Sequence, residues 1–470
     1  MPLKSKNDKK HPLIDTHAHL SFEQYEANRE EVKTCAWNAG VEFIILVGAG
    51  AGLDGNFRAL KLAKTDARFF ATVGIHPHDA GQLAPLWIDE LKGLLADEKV
   101  VALGEVGLDY FHKFSDQGVQ RNVFEKLIPL ADEFGKPIVI HDRDAHEDVW
   151  KILNDVGLPE RRGVVHCFSG DVRFAEKVIG AGFYISISGV VTFKKARDLH
   201  EVVANMPLER MVIETDCPYL APEPFRGKIN EPSYVRYVAE RIAEIKGLSL
   251  EDVARVTTLN AKRLFGLPGA ELIPDIAYRI RNSLYLNITN SCNLACRFCP
   301  KFIDFEVKGY YLKLDKEPGV EDIFMAMGEP ENYDEIVFCG YGEPTRRLEV
   351  LKVIAARMKE KGVKKVRLNT DGLANLLYGR NVLPELSGII DSVSVSLNAA
   401  DADFYSKICP SKFGALAYEE VCRFIVEAKK HIPEVTASVV ALPGLDLDAC
   451  RKKAKELGIV LKIREYMNVG

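Results

Sequence analysis

The chain has 470 residues, with 62 Lys and Arg against 67 Asp and Glu and a formal net charge of −5. At roughly 100–200 residues per domain, this length predicts two large domains or three small ones. The charge excludes a globally basic nucleic-acid binder, so any nucleic-acid contact needs a local basic patch.

Hydrophobic residues make up 47% and charged residues 27%, as in ordinary globular protein. No apolar run approaches the ~20 residues of a membrane span. The opening MPLKSKNDKKHP is basic and lacks an apolar segment, so residues 1–11 read as a solvated tail and not as a secretion signal. The expected compartment is the cytoplasm. Ten of the 11 histidines precede residue 201, and seven of the ten cysteines follow residue 291. An imidazole-rich first part and a thiol-rich second part predict two different metal sites.

Eight short apolar runs alternate with helical patterns: 13–20, 41–49, 69–77, 100–109, 137–143, 163–170, 184–189 and 211–218. Amphipathic stretches such as 116–135 and 171–182 separate them. Eight strand–helix units in this span predict a (β/α)8 barrel of the TIM type. In most of the runs the His, Glu or Asp comes last. This places Glu105, His141, His166 and Asp216 near the C-terminal ends of their strands, the face that carries active sites in such barrels. His17 and His19 are two apart on the first strand and share a face. One such residue is usually a satisfied polar group. Six metal-capable groups converging on one rim predict a divalent-cation site. There, Glu105 can bridge two cations and Asp216 can serve as general base.

The strings DTHAHL, GIHPH, GEVGLDY, IHDRDA, HCFSG and ETDCPYLAP resemble the TatD family of metal-dependent deoxyribonucleases, within the amidohydrolase superfamily. The resemblance covers about 12–266 and implies that His17, His19, Glu105, His141, His166 and Asp216 hold two metal ions, Zn, Mn or Mg. It implies that His76 sits beside the scissile phosphate and adds Glu105 and Asp216 as catalytic groups. His78 and Arg143 are weaker candidates for phosphate contact. The run TTLNAKRLFGL resembles the family's closing segment, with Asn260 and Phe265. Cys167 and Cys217 neighbour ligands, and strand alternation predicts that both face away into packing.

Periodicity stops near Leu267, and the Pro- and Gly-bearing stretch 268–279 reads as a linker between a hydrolase barrel at 12–267 and a second domain at 280–470. A strand-like segment at 283–289 leads into Cys292, Cys296 and Cys299, a C-x3-C-x2-C spacing. A zinc knuckle fits poorly, because zinc usually takes four ligands and no second cysteine pair follows. A bacterial ferredoxin needs a denser run. Three cysteines can hold a [4Fe–4S] cluster with one iron left open to a small molecule.

With Phe298 as the aromatic, the spacing resembles the radical SAM superfamily. EIVFCGYGEP resembles its glycine-rich motif, with Gly340, Gly342, Glu343 and Pro344. The resemblance implies S-adenosylmethionine as cofactor, an electron donor for the cluster, and contacts from Gly340, Gly342, Glu343, Asn369, Asp371, Ser396 and Asn398. With VTASVVAL and VLKIREY, six strands predict a partial (β/α)6 barrel, so the fold class is α/β throughout.

The combined reading is a bifunctional enzyme: a phosphoester hydrolase, as a deoxyribonuclease acting on nucleic acid or nucleotides, joined to a radical enzyme whose substrate the motifs do not name. Fold alone leaves two alternatives open, a small-molecule amidohydrolase-type enzyme and a metal-stabilised scaffold.

Overall fold

The computed structural model describes residues 12–83, 86–302 and 305–466. The tail expected at 1–11 lies outside the described residues. The chain divides into two compact units between Glu271 and Leu272.

The first unit is an eight-stranded parallel sheet in chain order. Its strands are β1 (Leu13–Ala18), β2 (Val41–Gly48), β3 (Phe69–Val73), β4 (Val100–Asp109), β5 (Ile138–Arg143), β6 (Gly163–Val165), β7 (Tyr184–Ile187) and β8 (Met211–Ile213). All eight expected strands are present, in order. Ala18 bridges to Cys217 in parallel, which joins the end of β1 to the segment after β8. Residues two apart on a strand share a face. Val139 and Val164 therefore lie directly below His141 and His166. With Ile14, Ile45, Phe70, Val101, Tyr184 and Val212 they form an apolar cluster supplied by every strand. Leu264, Phe265 and Leu267 join this cluster from the end of the helix Leu250–Phe265. That helix is started by Ser249, whose hydroxyl accepts from Asp252 N at 3.1 Å. Asn260 ties it to the foot of β8, donating to Leu208 O at 2.9 Å and Met211 O at 2.7 Å.

The second unit is a seven-stranded sheet. Its strands are β9 (Ala277–Ile280), β10 (Ser283–Leu286), β13 (Glu335–Phe338), β14 (Val366–Thr370), β15 (Ser392–Ser396), β16 (Glu434–Ala441) and β17 (Val460–Glu465). A two-stranded hairpin, β11 (Glu306–Val307) and β12 (Tyr310–Tyr311), stands apart from it. The six strands from β10 to β17 are parallel, as expected. The seventh was not. β9 pairs antiparallel with β10, so the stretch expected as linker contributes an edge strand. Its alternation, AYRI, is only four residues long and sits beside prolines and a glycine, which masks the period.

Candidate functional site

At the barrel mouth, the chain after β8 is stitched to the end of β1. Asp216 N donates to His17 O and His19 N donates to Cys217 O, each at 2.9 Å. This sets Asp216 beside both imidazoles, with Oδ1 3.7 Å from His17 Nε2 and 3.4 Å from His19 Nε2. Glu105 is the sixth residue of β4, yet β3 already ends opposite Leu103, so its side chain emerges above the neighbouring strand. Its Oε1 meets His141 Nδ1 at 2.6 Å, His166 Nε2 at 2.8 Å and His76 Nε2 at 3.4 Å. Its Oε2 lies 3.3 Å from His17 Nε2. Gly107 makes this path possible, since a Cβ there would stand 2.0 Å from His141 O. The six expected ligands and His76 thus form one cluster with overlapping metal-capable groups.

Burial alone would raise the Glu105 carboxyl. The imidazoles of His166, His76 and His17 and the hydrogen bond from His141 outweigh it and hold the group well below the usual carboxylate range. Burial pushes His76 down to about 4. Its Nδ1 accepts from His78 N at 3.1 Å, so the neutral ring carries its proton on Nε2.

Two carboxylates that the sequence reading passed over stand behind the histidines. Asp109 Oδ2 is 3.2 Å from His141 Nε2, and Glu214 Oε1 is 3.4 Å from His166 Nδ1. Both lie inside the motifs GEVGLDY and ETDCP; Glu214 lies past the end of β8, but Asp109 stands four residues from Glu105 on β4. That spacing was the available signal for Asp109.

One expectation is corrected. Cys217 is fully buried, but Cys167 lines the cavity. β6 ends at Val165 and Cys167 has φ +43°, so strand alternation no longer applies to it. Its backbone N donates to Glu214 Oε1 at 2.7 Å.

In the second unit, Cys292, Cys296 and Cys299 are free, half-buried thiols on the loop after β10. Gly342 is demanded by the backbone around it, while a side chain at Gly340 would displace the Asn287 amide. A Cβ would lie 2.4 Å from Asn287 Oδ1 at Gly340 and 2.0 Å from Thr289 O at Gly342. The Glu343 carboxylate is buried and already engaged. It accepts from Thr345 N (3.0 Å), Thr345 Oγ1 (2.6 Å), Thr370 Oγ1 (2.8 Å) and Asp371 N (2.6 Å). Asp371 accepts from Leu373 N at 2.9 Å and from Asn293 Nδ2 at 3.0 Å, and burial beside Glu343 holds its carboxyl well above the usual range. Asn369 and Asn398 differ, because each keeps a buried side-chain oxygen without a hydrogen-bond partner among the described residues. Ser396 is half-buried at the end of β15.

Residues 14–266 match the TatD related DNase family, and residues 286–457 match the Radical SAM superfamily. The chain belongs to the TatD-related DNase family, with a radical SAM domain following the barrel in sequence. The uncharacterized metal-dependent hydrolase YabD of Bacillus subtilis is 47% identical over 253 residues, 54% of this chain and 98% of that protein. A Salmonella typhimurium protein named 3′-5′ ssDNA/RNA exonuclease TatD is 35% identical over 259 residues, 54% of this chain and 98% of its own length. The crystal structure of the Escherichia coli TatD homolog YJJV superposes with a TM-score of 0.52 at 29% identity, covering 55% of this chain and 98% of that one. Both domains belong to enzyme families.

The residues of the TatD barrel fit divalent cations. Both ring nitrogens of His17, with His19 Nδ1 and His166 Nδ1, are buried without a hydrogen-bond partner among the described residues. The rings of His17 and His166 stack 4.0 Å apart. His17 Nε2, unbonded and facing both Glu105 and Asp216, is the kind of donor that a hard or borderline cation satisfies. The centre opens into a cavity of about 690 Å³ lined by Phe22, Phe114, Arg143 and Tyr219 among others. Phe114 is 67% exposed and Tyr219 53%. The radical SAM cysteines are free thiols on one loop, the donor chemistry that suits an iron–sulfur cluster. No described helix is long and apolar enough to cross a membrane.

Proposed function

We propose that the TatD barrel hydrolyses phosphodiester bonds in single-stranded nucleic acid, as a deoxyribonuclease using two divalent cations, Zn, Mn or Mg. We further propose that the radical SAM unit acts on a related substrate. The observation that carries the first reading is Glu105, with one oxygen against His141 and His166 and the other against His17. In this reading His17, His19 and Asp216 would hold one cation and His141 and His166 the other, with Glu105 within reach of both groups. Bound cations supply Lewis acidity and a water acidified toward neutral pH. Asp216 accepts the proton of the attacking water. His76, neutral and with its proton on Nε2, offers that N–H to a phosphate oxygen. Arg143 neutralises a neighbouring phosphate.

The aromatic rim supports a nucleic-acid substrate over a small amide. Exposed rings such as Phe114 and Tyr219 offer faces on which unpaired bases stack, at ~1–3 kcal/mol per base. The Salmonella relative is named an exonuclease of single-stranded DNA and RNA, which agrees with this substrate.

In the second unit Cys292, Cys296 and Cys299 ligate the cluster. Asn369 and Asn398 present acceptors to S-adenosylmethionine, with Ser396 beside them. When bound, the cluster and S-adenosylmethionine would supply radical hydrogen-abstraction chemistry, given one electron from a donor.

The test uses the full chain purified without oxygen. Labelled single-stranded DNA should be degraded with added Mn, and Glu105→Ala should abolish this while retaining the fold by circular dichroism. Untouched DNA alongside turnover of small phosphoesters or amides would replace this reading with the small-molecule one. Reduction with S-adenosylmethionine present should yield 5′-deoxyadenosine, and Cys296→Ala should not.

A further inference from the structure

Cys409 belongs to no cluster motif and is only 1% exposed. It follows the helix Ala402–Ile408, and its segment runs antiparallel to the cysteine loop. Ala295 N donates to Pro410 O at 2.8 Å and Arg297 N to Ile408 O at 2.9 Å. Those two bonds flank positions 296 and 409 and hold them opposite one another. The Cys296 thiol donates to Cys409 Sγ at 3.4 Å, and Asn398 Nδ2 donates to the same sulfur at 3.4 Å. A disulfide is about 2.05 Å long, so closure asks the sulfurs to approach by little more than ~1 Å.

We propose that Cys409 is a resident redox partner of Cys296. In the chain without its cluster, a low-molecular-weight disulfide converts the pair to a Cys296–Cys409 disulfide. This withholds one cluster ligand until a dithiol reduces it, a consequence that rests on the cluster reading above. Cys296 is the more accessible of the two and attacks first. Its sulfur bonds to one half of the external disulfide, and the other half leaves as a thiol carrying the Cys296 proton. Cys409 then attacks the Cys296 sulfur, and the second half leaves as a thiol with the Cys409 proton. One external S–S bond is lost, one protein S–S bond forms, and two external thiols are produced.

The test strips iron from the full chain with a chelator under argon, adds oxidised glutathione, alkylates the remaining thiols and maps peptides by mass spectrometry. The expected product is a cross-link of the Cys296 and Cys409 peptides. In Cys409→Ser, and in Cys409→Ala should the serine variant misfold, Cys296 should instead retain glutathione. The oxidised wild type should lose most of its iron and sulfide uptake until treated with a dithiol. Glutathione on Cys296 in the wild type to the same extent as in the variants, or cross-linking of Cys296 to Cys292 or Cys299, would overturn the proposal. Failure of the cluster reading is distinct: the reduced chain would take up no iron, while the peptide map would still show the disulfide.

Discussion

Asp109 Oδ2 lies 3.2 Å from His141 Nε2, while the opposite ring nitrogen, Nδ1, lies 2.6 Å from Glu105 Oε1. A ring held between two carboxylates has one productive orientation. The same Asp109 oxygen is 2.7 Å from His78 Nε2 and 2.8 Å from His112 Nδ1, so it organises three imidazoles at the rim. Glu214 stands behind His166 in the same way.

Asp109→Asn should therefore weaken metal binding by ~10–100-fold, the usual cost of losing a partner behind a metal-binding histidine. Asn keeps an oxygen for Phe111 N and His112 N, which now donate to Asp109 Oδ1 at 3.0 and 2.8 Å, but it loses the acceptor that three imidazoles share, so the metal-free melting temperature should fall as well. Titration with Mn and calorimetric melting check both halves. Unchanged affinity would mean that Asp109 serves only the loop that follows it.

Burial holds His76 down to about 4, so the folded metal-free chain binds fewer protons there than the unfolded chain. The stability tied to this group is fully present above the ordinary value of 6.5 and is lost as pH falls from 6.5 toward 4. His76→Gln should remove that part of the slope, a difference of ~1–3 kcal/mol. Urea unfolding of both metal-free proteins at about pH 7 and about pH 5 measures it. Parallel losses in the two proteins would assign the slope to other groups.

Thr370 donates to the buried Glu343 carboxylate at 2.8 Å, across the ends of β13 and β14. Thr370→Val preserves shape and removes the donor, leaving a buried carboxyl oxygen with one bond fewer. The expected cost is ~1–3 kcal/mol in urea unfolding. A neutral result would show that the remaining donors satisfy the carboxylate.

A Cβ at position 342 would stand 2.0 Å from Thr289 O and 2.9 Å from Ser291 O. Both contacts are backbone, and Ser291 adjoins Cys292. Gly342→Ala should push the cysteine loop aside and lower iron content after anaerobic reconstitution, while DNA hydrolysis by the barrel persists. Full iron incorporation in this variant would show that the loop tolerates the shift.

The eight barrel strands and six parallel strands of the second sheet were legible because apolar runs and turn residues are local signals. β9 was not, since four residues beside prolines and a glycine carry too little alternation. His17, Glu105, His141, His166 and Asp216 could be singled out because polar residues closing apolar strands share one rim. The radical SAM resemblance implies cofactor contacts at Glu343 and Asp371, and in the structure both also take part in internal hydrogen bonds.

The amino-acid sequence by itself determined the two folds, the order of their strands and which residue types crowd the barrel mouth, because residue periodicity and strand polarity are set locally. Only the tertiary structure decided that Cys167 faces the cavity, that Asp109 and Glu214 back two histidines, and that Cys409 meets Cys296 from 113 residues away. Such contacts depend on how elements pack and on where backbone leaves regular geometry, and no local pattern encodes either.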